Sequence, residues 1–253
     1  MLPRLELHHL PLIMTNKVIL KKETQAILKN FATLNSSILV RQGSKIKTIS
    51  VGENAVAEYG CDEDFPQDFG IYDLTQFLNG LDLFTNDEKR KGVTEWTEPV
   101  LEFTNQSFVT IHGQGKAAGY TARYFFSSPE ITLKAAPEKA ITFPDSDMEF
   151  TIKDSDLGNL KDAAQAYRLP DLSFKSNEDG FITLEICDRE DPTCNVYAQK
   201  IKGHATGSYE LFMKIDNIKI FAGGYDIKVS KNLITEWKHK NLDLTYYIAL
   251  EPV

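Results

Sequence analysis

Residues 20–32, LKKETQAILKNFA, lie over residues 152–164, IKDSDLGNLKDAA, without a gap, sharing Lys21/Lys153, Leu28/Leu160, Lys29/Lys161 and Ala32/Ala164. A second pair follows in the same order: IYDLTQFLNGLDLF from Ile71 resembles KIDNIKIFAGGYDI from Lys214, sharing Asp73/Asp216, Gly80/Gly223 and the apolar pairs Phe77/Ile220 and Leu78/Phe221. The two similarities are offset by 132 and 143 residues. Two matches at nearly one spacing predict a duplicated unit, so the chain must fold as two related domains. Residues 134–147, KAAPEKAITFPDSD, have the Pro-containing, charged and small-residue composition of a partly extended linker. The expected organisation is an N-terminal extension at 1–16, a first domain at 17–133, a connector at 134–147 and a second domain at 148–253.

Most of the chain alternates apolar and polar residues in short runs punctuated by Gly, Asn and Asp, as at Ser37–Val40, Ile46–Val51, Leu101–Phe103, Phe108–His112 and Phe181–Ile186. That period predicts a mainly β protein. Two segments carry the helical period instead. In Leu20–Asn35, Leu20, Ile27, Phe31 and Leu34 share one face, with Lys22, Gln25, Lys29 and Thr33 opposite. In Asp154–Arg168, Leu157, Leu160, Ala164 and Tyr167 share a face, and Pro170 stops the helix.

The 28 Lys and Arg against 36 Asp and Glu give a net charge of −8. A protein that wraps DNA by neutralising many phosphates carries the opposite balance. No apolar run approaches the roughly 20 residues of a membrane span. The N-terminus, with Arg4 its only cation before Met14 and with Glu6, His8 and His9 interrupting the apolar stretch, does not read as a signal peptide, and Met14 is an alternative start. Cys61, Cys187 and Cys194 are too few for a disulfide framework and are expected as free thiols.

No motif demands catalysis. The five histidines are scattered, and no Gly-x-Ser-x-Gly elbow is present. CDREDPTC, residues 187–194, reads as a hairpin loop rather than a zinc site. GQGKAAG, residues 113–119, lacks both the Ser or Thr and the following helix of a phosphate loop, so it reads as a β-hairpin turn. CDEDFPQD, residues 61–68, offers Asp62, Asp64 and Asp68 to a cation, yet without EF-hand order it reads as a solvated acidic loop. Charge is unevenly placed, however: residues 17–35 hold four Lys and one Glu. Duplicated helices with cations outside an apolar stripe point to a surface that faces a polyanion.

LKKETQAILKNFATLNSSILVRQG (20–43), FGIYDLTQFLNGL (69–81), TARYFFSSPEIT (121–132), AITFPDSD (140–147) and TYYIALE (245–251) resemble, in order, segments of the DNA polymerase sliding clamps of T-even-type phages. TYYIAL is also similar to the last strand of proliferating cell nuclear antigen. The resemblance implies an α+β fold of duplicated clamp domains, helices lining the inner face of a homotrimeric ring and antiparallel sheets outside. It implies a non-catalytic processivity factor in the cytoplasm of an infected bacterium, without a cofactor, that encircles double-stranded DNA and tethers the DNA polymerase. A clamp loader is a further implied partner, no membrane is involved, and transcription is a second implied client. Lys21, Lys22, Lys29, Lys161, Arg168 and Lys219 are the matching DNA-facing candidates, with Lys116 a further one. Ile141 and Phe143 of the connector and Tyr247, Ala249 and Leu250 of the last strand match the family's partner-peptide pocket. One departure is that residues 152–168 balance three cations against three aspartates where the family is more basic; a second is that the first 13 residues have no counterpart. The alternative is a phage β-protein that only assembles.

Overall fold

The computed structural model describes residues 16–85, 97–128, 134–177 and 179–252. Apart from Asn16 the expected N-terminal extension, with His8, His9 and Met14, lies outside the described residues.

The helical period in Leu20–Asn35 becomes α1, Lys22–Leu34, which buries Ile27, Leu28, Phe31 and Leu34 and leaves Lys22, Lys29 and Thr33 exposed. Gln25 departs from that reading. It is buried, and its Nε2 donates to the Leu20 carbonyl at 3.0 Å. The first N–H groups of a helix need acceptors from outside it, and Lys21 provides no side-chain cap. Glu63, on the eleven-residue strand Ala55–Phe65, supplies one: its Oε1 accepts the Lys21 N–H at 2.7 Å and its Oε2 accepts the Thr24 hydroxyl at 2.8 Å. A carboxylate here also meets the positive end of the helix dipole.

Glu63 thereby corrects the acidic-loop reading of residues 61–68. Residues 61–65 are strand, with Cys61, Glu63 and Phe65 inward and Asp62 and Asp64 outward. A buried glutamate hid the two-residue period. Asp68 accepts the Gln42 N–H at 2.7 Å and pairs with Arg41 at 3.2 Å, so the three aspartates do not converge. Among the described residues no group of three or more His, Cys, Asp or Glu side chains is placed to hold a metal ion.

In chain order the first half holds β1 (Lys17–Ile19), α1, β2 (Ile38–Val40), β3 (Gly43–Ile49), β4 (Ala55–Phe65), β5 (Phe69–Ile71), α2 (Leu74–Thr85), β6 (Val100–Glu102), β7 (Phe108–His112) and β8 (Thr121–Phe125). The second holds β9 (Met148–Ile152), α3 (Asp154–Tyr167), β10 (Asp171–Ser176), β11 (Phe181–Cys187), β12 (Tyr197–Ala205), β13 (Tyr209–Lys214), β14 (Tyr225–Ser230), β15 (Ile234–His239) and β16 (Leu244–Ala249). All pairings are antiparallel: a sheet ordered β1-β6-β7-β8, the pair β2-β5, and a ten-stranded sheet ordered β13-β10-β11-β12-β9-β14-β15-β16-β4-β3. The helices pack their apolar faces on these sheets, with Phe77 of α2 edge-on to Tyr124 at 5.0 Å.

The duplication is unequal. α3 matches α1, although Tyr167, expected on the buried face, is 51% exposed. Where α2 stands in the first half, the second half makes only the single turn Ile215–Asn217. The sequence explains why: Gly223 and Gly224 each disfavour helix by about 1 kcal/mol, and Gly223 takes φ +143° with its backbone against His239, where a Cβ would lie 2.1 Å from Nε2.

The ten-stranded sheet crosses from one half to the other where β4 pairs with β16, Ala55 opposite Ile248 and Tyr59 opposite Leu244. Gly60 is needed at this seam, since a Cβ would lie 2.0 Å from Asp243 Oδ2. Behind the seam the Tyr246 hydroxyl donates to Asn30 Oδ1 of α1 at 2.6 Å and accepts the Phe221 N–H at 3.1 Å, while Asn30 Nδ2 donates to the Lys219 carbonyl at 3.2 Å.

Two predictions follow from these joints. Glu63→Ala should lower stability by about 2 to 3 kcal/mol in urea unfolding, because two partners lose a buried acceptor; an unchanged midpoint would refute the capping role. Tyr246→Phe should cost about 1 to 2 kcal/mol by stranding Asn30 and the Phe221 N–H, with earlier amide exchange in residues 219–221 than in the parent, and equal exchange would count against the joint.

Candidate nucleic-acid interface

Three of the six expected DNA-facing cations belong to α1 or to the residue that precedes it. Lys21, just before the helix, places its Nζ 3.9 Å from Glu98. Lys29 reaches across to α2 and pairs with Asp82 at 3.2 Å. Lys22 is exposed on the first turn.

The other three come together although they are far apart in sequence. Lys161, Arg168 and Lys219 line one cleft of about 490 Å³ between the end of α3 and the turn Ile215–Asn217. The backbone fixes this meeting, because Ile215 N–H donates to the Pro170 carbonyl at 2.9 Å. α3 ends at Tyr167, three residues before Pro170, in a Schellman-type turn: Leu169 N–H donates to Ala164 O at 3.0 Å and Arg168 sits in the left-handed region at φ 56°, ψ 43°. Glycine is the usual residue there. Burial of Lys161 holds its ammonium below the ordinary lysine pKa, an effect that the nearby Asp154 partly offsets.

Counting charges made α3 appear neutral; in space it is polarised. Asp154 and Asp156 occupy its first turn, where negative charge suits the dipole, and Asp154 Oδ1 accepts the Gly223 N–H at 2.8 Å. Lys161 and Arg168 lie toward the other end, with Asp162 exposed beside them.

The connector runs without regular structure and is tied to the first half by Arg41–Glu138 at 2.8 Å, Lys134–Glu53 at 2.7 Å and a bond from Lys47 Nζ to the Glu138 carbonyl at 3.3 Å. Ile141 and Phe143 are half-buried, as are Tyr247 and Ala249 on β16. Leu250 is only 5% exposed, with its N–H bonded to the Leu233 carbonyl at 2.9 Å, so it presents no surface to a partner. A cavity of about 280 Å³ opens elsewhere along the connector, lined by Leu39, Arg41, Gln42, Lys45, Ala136 and Pro137 among others, and by none of the five expected residues. Leu39 was legible: in the run Ile38–Val40 the middle side chain must point away from the core that takes its neighbours.

The remaining motifs have structural roles. Residues 188–196 link β11 to β12, the Asp188 N–H lies 3.2 Å from Cys194 Sγ, and burial pushes the Cys187 thiol up to about 11. Gly113–Gly119 joins β7 to β8 around the short turn Gly115–Ala117, and Lys116 belongs to this turn.

The DNA polymerase processivity factor family matches residues 21–95. The sliding clamp of Vibrio phage KVP40 is 27% identical over 237 residues, covering 92% of this chain and 98% of its own. Those of Escherichia phage RB69 and Enterobacteria phage T4 are each 26% identical, over 92% of this chain and 96% of theirs. Among solved structures, the proliferating cellular nuclear antigen of Entamoeba histolytica superposes with a TM-score of 0.68 at 13% identity, covering 94% of this chain and all of that one. The PCNA2–PCNA3 complex of Sulfolobus tokodaii gives 0.63 at 15%, over 93% of this chain and 98% of that one. The chain is thus similar, almost end to end, to the sliding clamps of these phages, matches the DNA polymerase processivity factor family over its first helical region, and shares the fold of the nuclear antigens.

Proposed function

We propose that three copies of this chain close into a ring that encircles double-stranded DNA and tethers the replicative polymerase, with no catalysis of its own, in the cytoplasm of an infected bacterium. The observation that carries this reading is the β4–β16 seam, whose pattern recurs unfilled at β8 and at β12. β8, the last strand of the first half, is a sheet edge as β16 would be without β4. β12 is paired along 197–202 only by β11 and leaves its other side open among the described residues. Pairing β8 of one copy with β12 of the next repeats the internal seam between copies, and such a heterologous contact makes a ring when its rotation closes. The exposed Phe125 and Val196, 67% and 51%, belong to or flank these edges.

In this ring residues 17–133 and 148–253 are the two domains and 134–147 the connector. Lys21, Lys22, Lys29, Lys161, Arg168 and Lys219 lie on the side that faces DNA, where phosphate contacts carry no sequence information, so the ring slides. Topology, rather than affinity, retains it, which is why a net charge of −8 is compatible with the role. The polymerase peptide docks along the connector, on Ile141, Phe143, Tyr247 and Ala249 together with the neighbouring cavity at Leu39 and Pro137. A closed ring needs a loader to open it.

Sedimentation across a concentration series should give three times the 28.6 kDa chain, dissociating on dilution. Primer extension by the cognate polymerase, with loader and ATP, should lengthen when the protein is added. A monomer at every concentration removes the ring, and a trimer that leaves extension unchanged favours a protein that only assembles.

A further inference from the structure

We infer that the second half of each subunit, through the cleft of Lys161, Arg168 and Lys219, holds the phosphate backbone of the duplex, and that the first half, although richer in lysine, contributes little. The inference deepens the clamp reading and rests on it.

The two halves differ in what their cations already touch. On α1, Lys29 is 3.2 Å from Asp82 of α2 and Lys21 is 3.9 Å from Glu98. Each must give up or share an acidic partner before it meets a phosphate. Lys161 is the repeat counterpart of Lys29, but the second half has no helix in the place of α2, and the segment there brings Lys219 to the cleft that Lys161 lines. Among the described residues, Lys161, Arg168 and Lys219 form no ion pair; Asp216 is the one acid lining the cleft, beyond ion-pair distance of all three. Three cations around one concavity focus their field on an anion that enters it.

Two further observations fit. Arg168 holds the left-handed conformation that favours glycine, a local strain kept at a position whose side chain lines the cleft. Lys161 is partly buried without an ion-pair partner, a situation an incoming phosphate relieves. The cleft floor is apolar, formed by Ala164, Leu169 and Ile218, so water screens a bound phosphate less than it would on an open helix face.

The test is the anisotropy of a labelled blunt DNA duplex titrated with the full-length protein over a salt series. Arg168→Gln and Lys219→Gln should each weaken binding several-fold at low salt and reduce the log–log salt slope by about one. Lys29→Gln should change both much less than either of these, and Asp82→Asn, which releases Lys29, should tighten binding and steepen the slope. Arg168→Gly controls for folding, since it accepts the backbone conformation without strain: it should melt no lower than the parent and still bind as weakly as Arg168→Gln. If Lys29→Gln weakens binding as much as Arg168→Gln, or the parent shows no salt-dependent binding, the asymmetry is wrong, and normal polymerase stimulation by the parent would leave the clamp reading intact. Loss of stimulation with the asymmetric binding preserved would instead strike the clamp reading alone.

Discussion

Pairing of β4 with β16 organises the molecule because β4 serves two masters along eleven residues. Its first five residues hold the end of the chain through the Ala55–Tyr59 register with Ile248–Leu244, and four residues further on Glu63 anchors the start of α1. The same stretch fixes the orientation of α1 relative to the second half, since Tyr246 hydrogen-bonds Asn30 from behind the seam and meets Phe31 edge-on at 6.5 Å. Backbone pairing, buried aromatics and a buried carboxylate thus converge on one strand. Each depends on its neighbours, because a buried acceptor is favourable only while its donors stay in place.

Much of this was readable in the residues. The apolar stripes of α1 and α3 and the alternation in Phe108–His112 and Phe181–Cys187 lie where their periods put them, because burial on one face dictates both period and position. Failures occurred where a polar side chain was buried or an apolar one exposed. Glu63 points inward because both its oxygens find donors there, Gln25 because its Nε2 reaches the Leu20 carbonyl, and Tyr167 points out because the helix ends beneath it. Of the candidate site, the identities of the cations could be named from the repeat and the resemblance. Their pairing could not, since Asp82 is 53 residues from Lys29 and only the packing of α2 on α1 brings them together. The cleft at Lys219 was equally invisible, being a product of a helix that the second half lacks.

Counting charge along a segment misleads for a related physical reason. Residues 17–35 look basic and residues 152–168 look neutral, but the field outside a surface depends on which charges are already compensated within a few ångströms. Folding inverts the apparent order by pairing Lys29 with Asp82, while two of the three aspartates of α3 stand in its first turn, away from Arg168.

The open sides of β8 and β12 carry a hazard as well as a use. An unpaired edge is a template for any strand, and a head-to-tail contact does not know in advance that it will close. The angle between the two edges, set by the twist of the sheet that runs through the β4–β16 seam and by how the separate sheet of β8 is held against it, decides between a finite particle and an endless fibre. A change at that seam, far from either edge, would therefore register as a defect of assembly: the same strands would still pair, copy after copy, along a spiral with no last subunit.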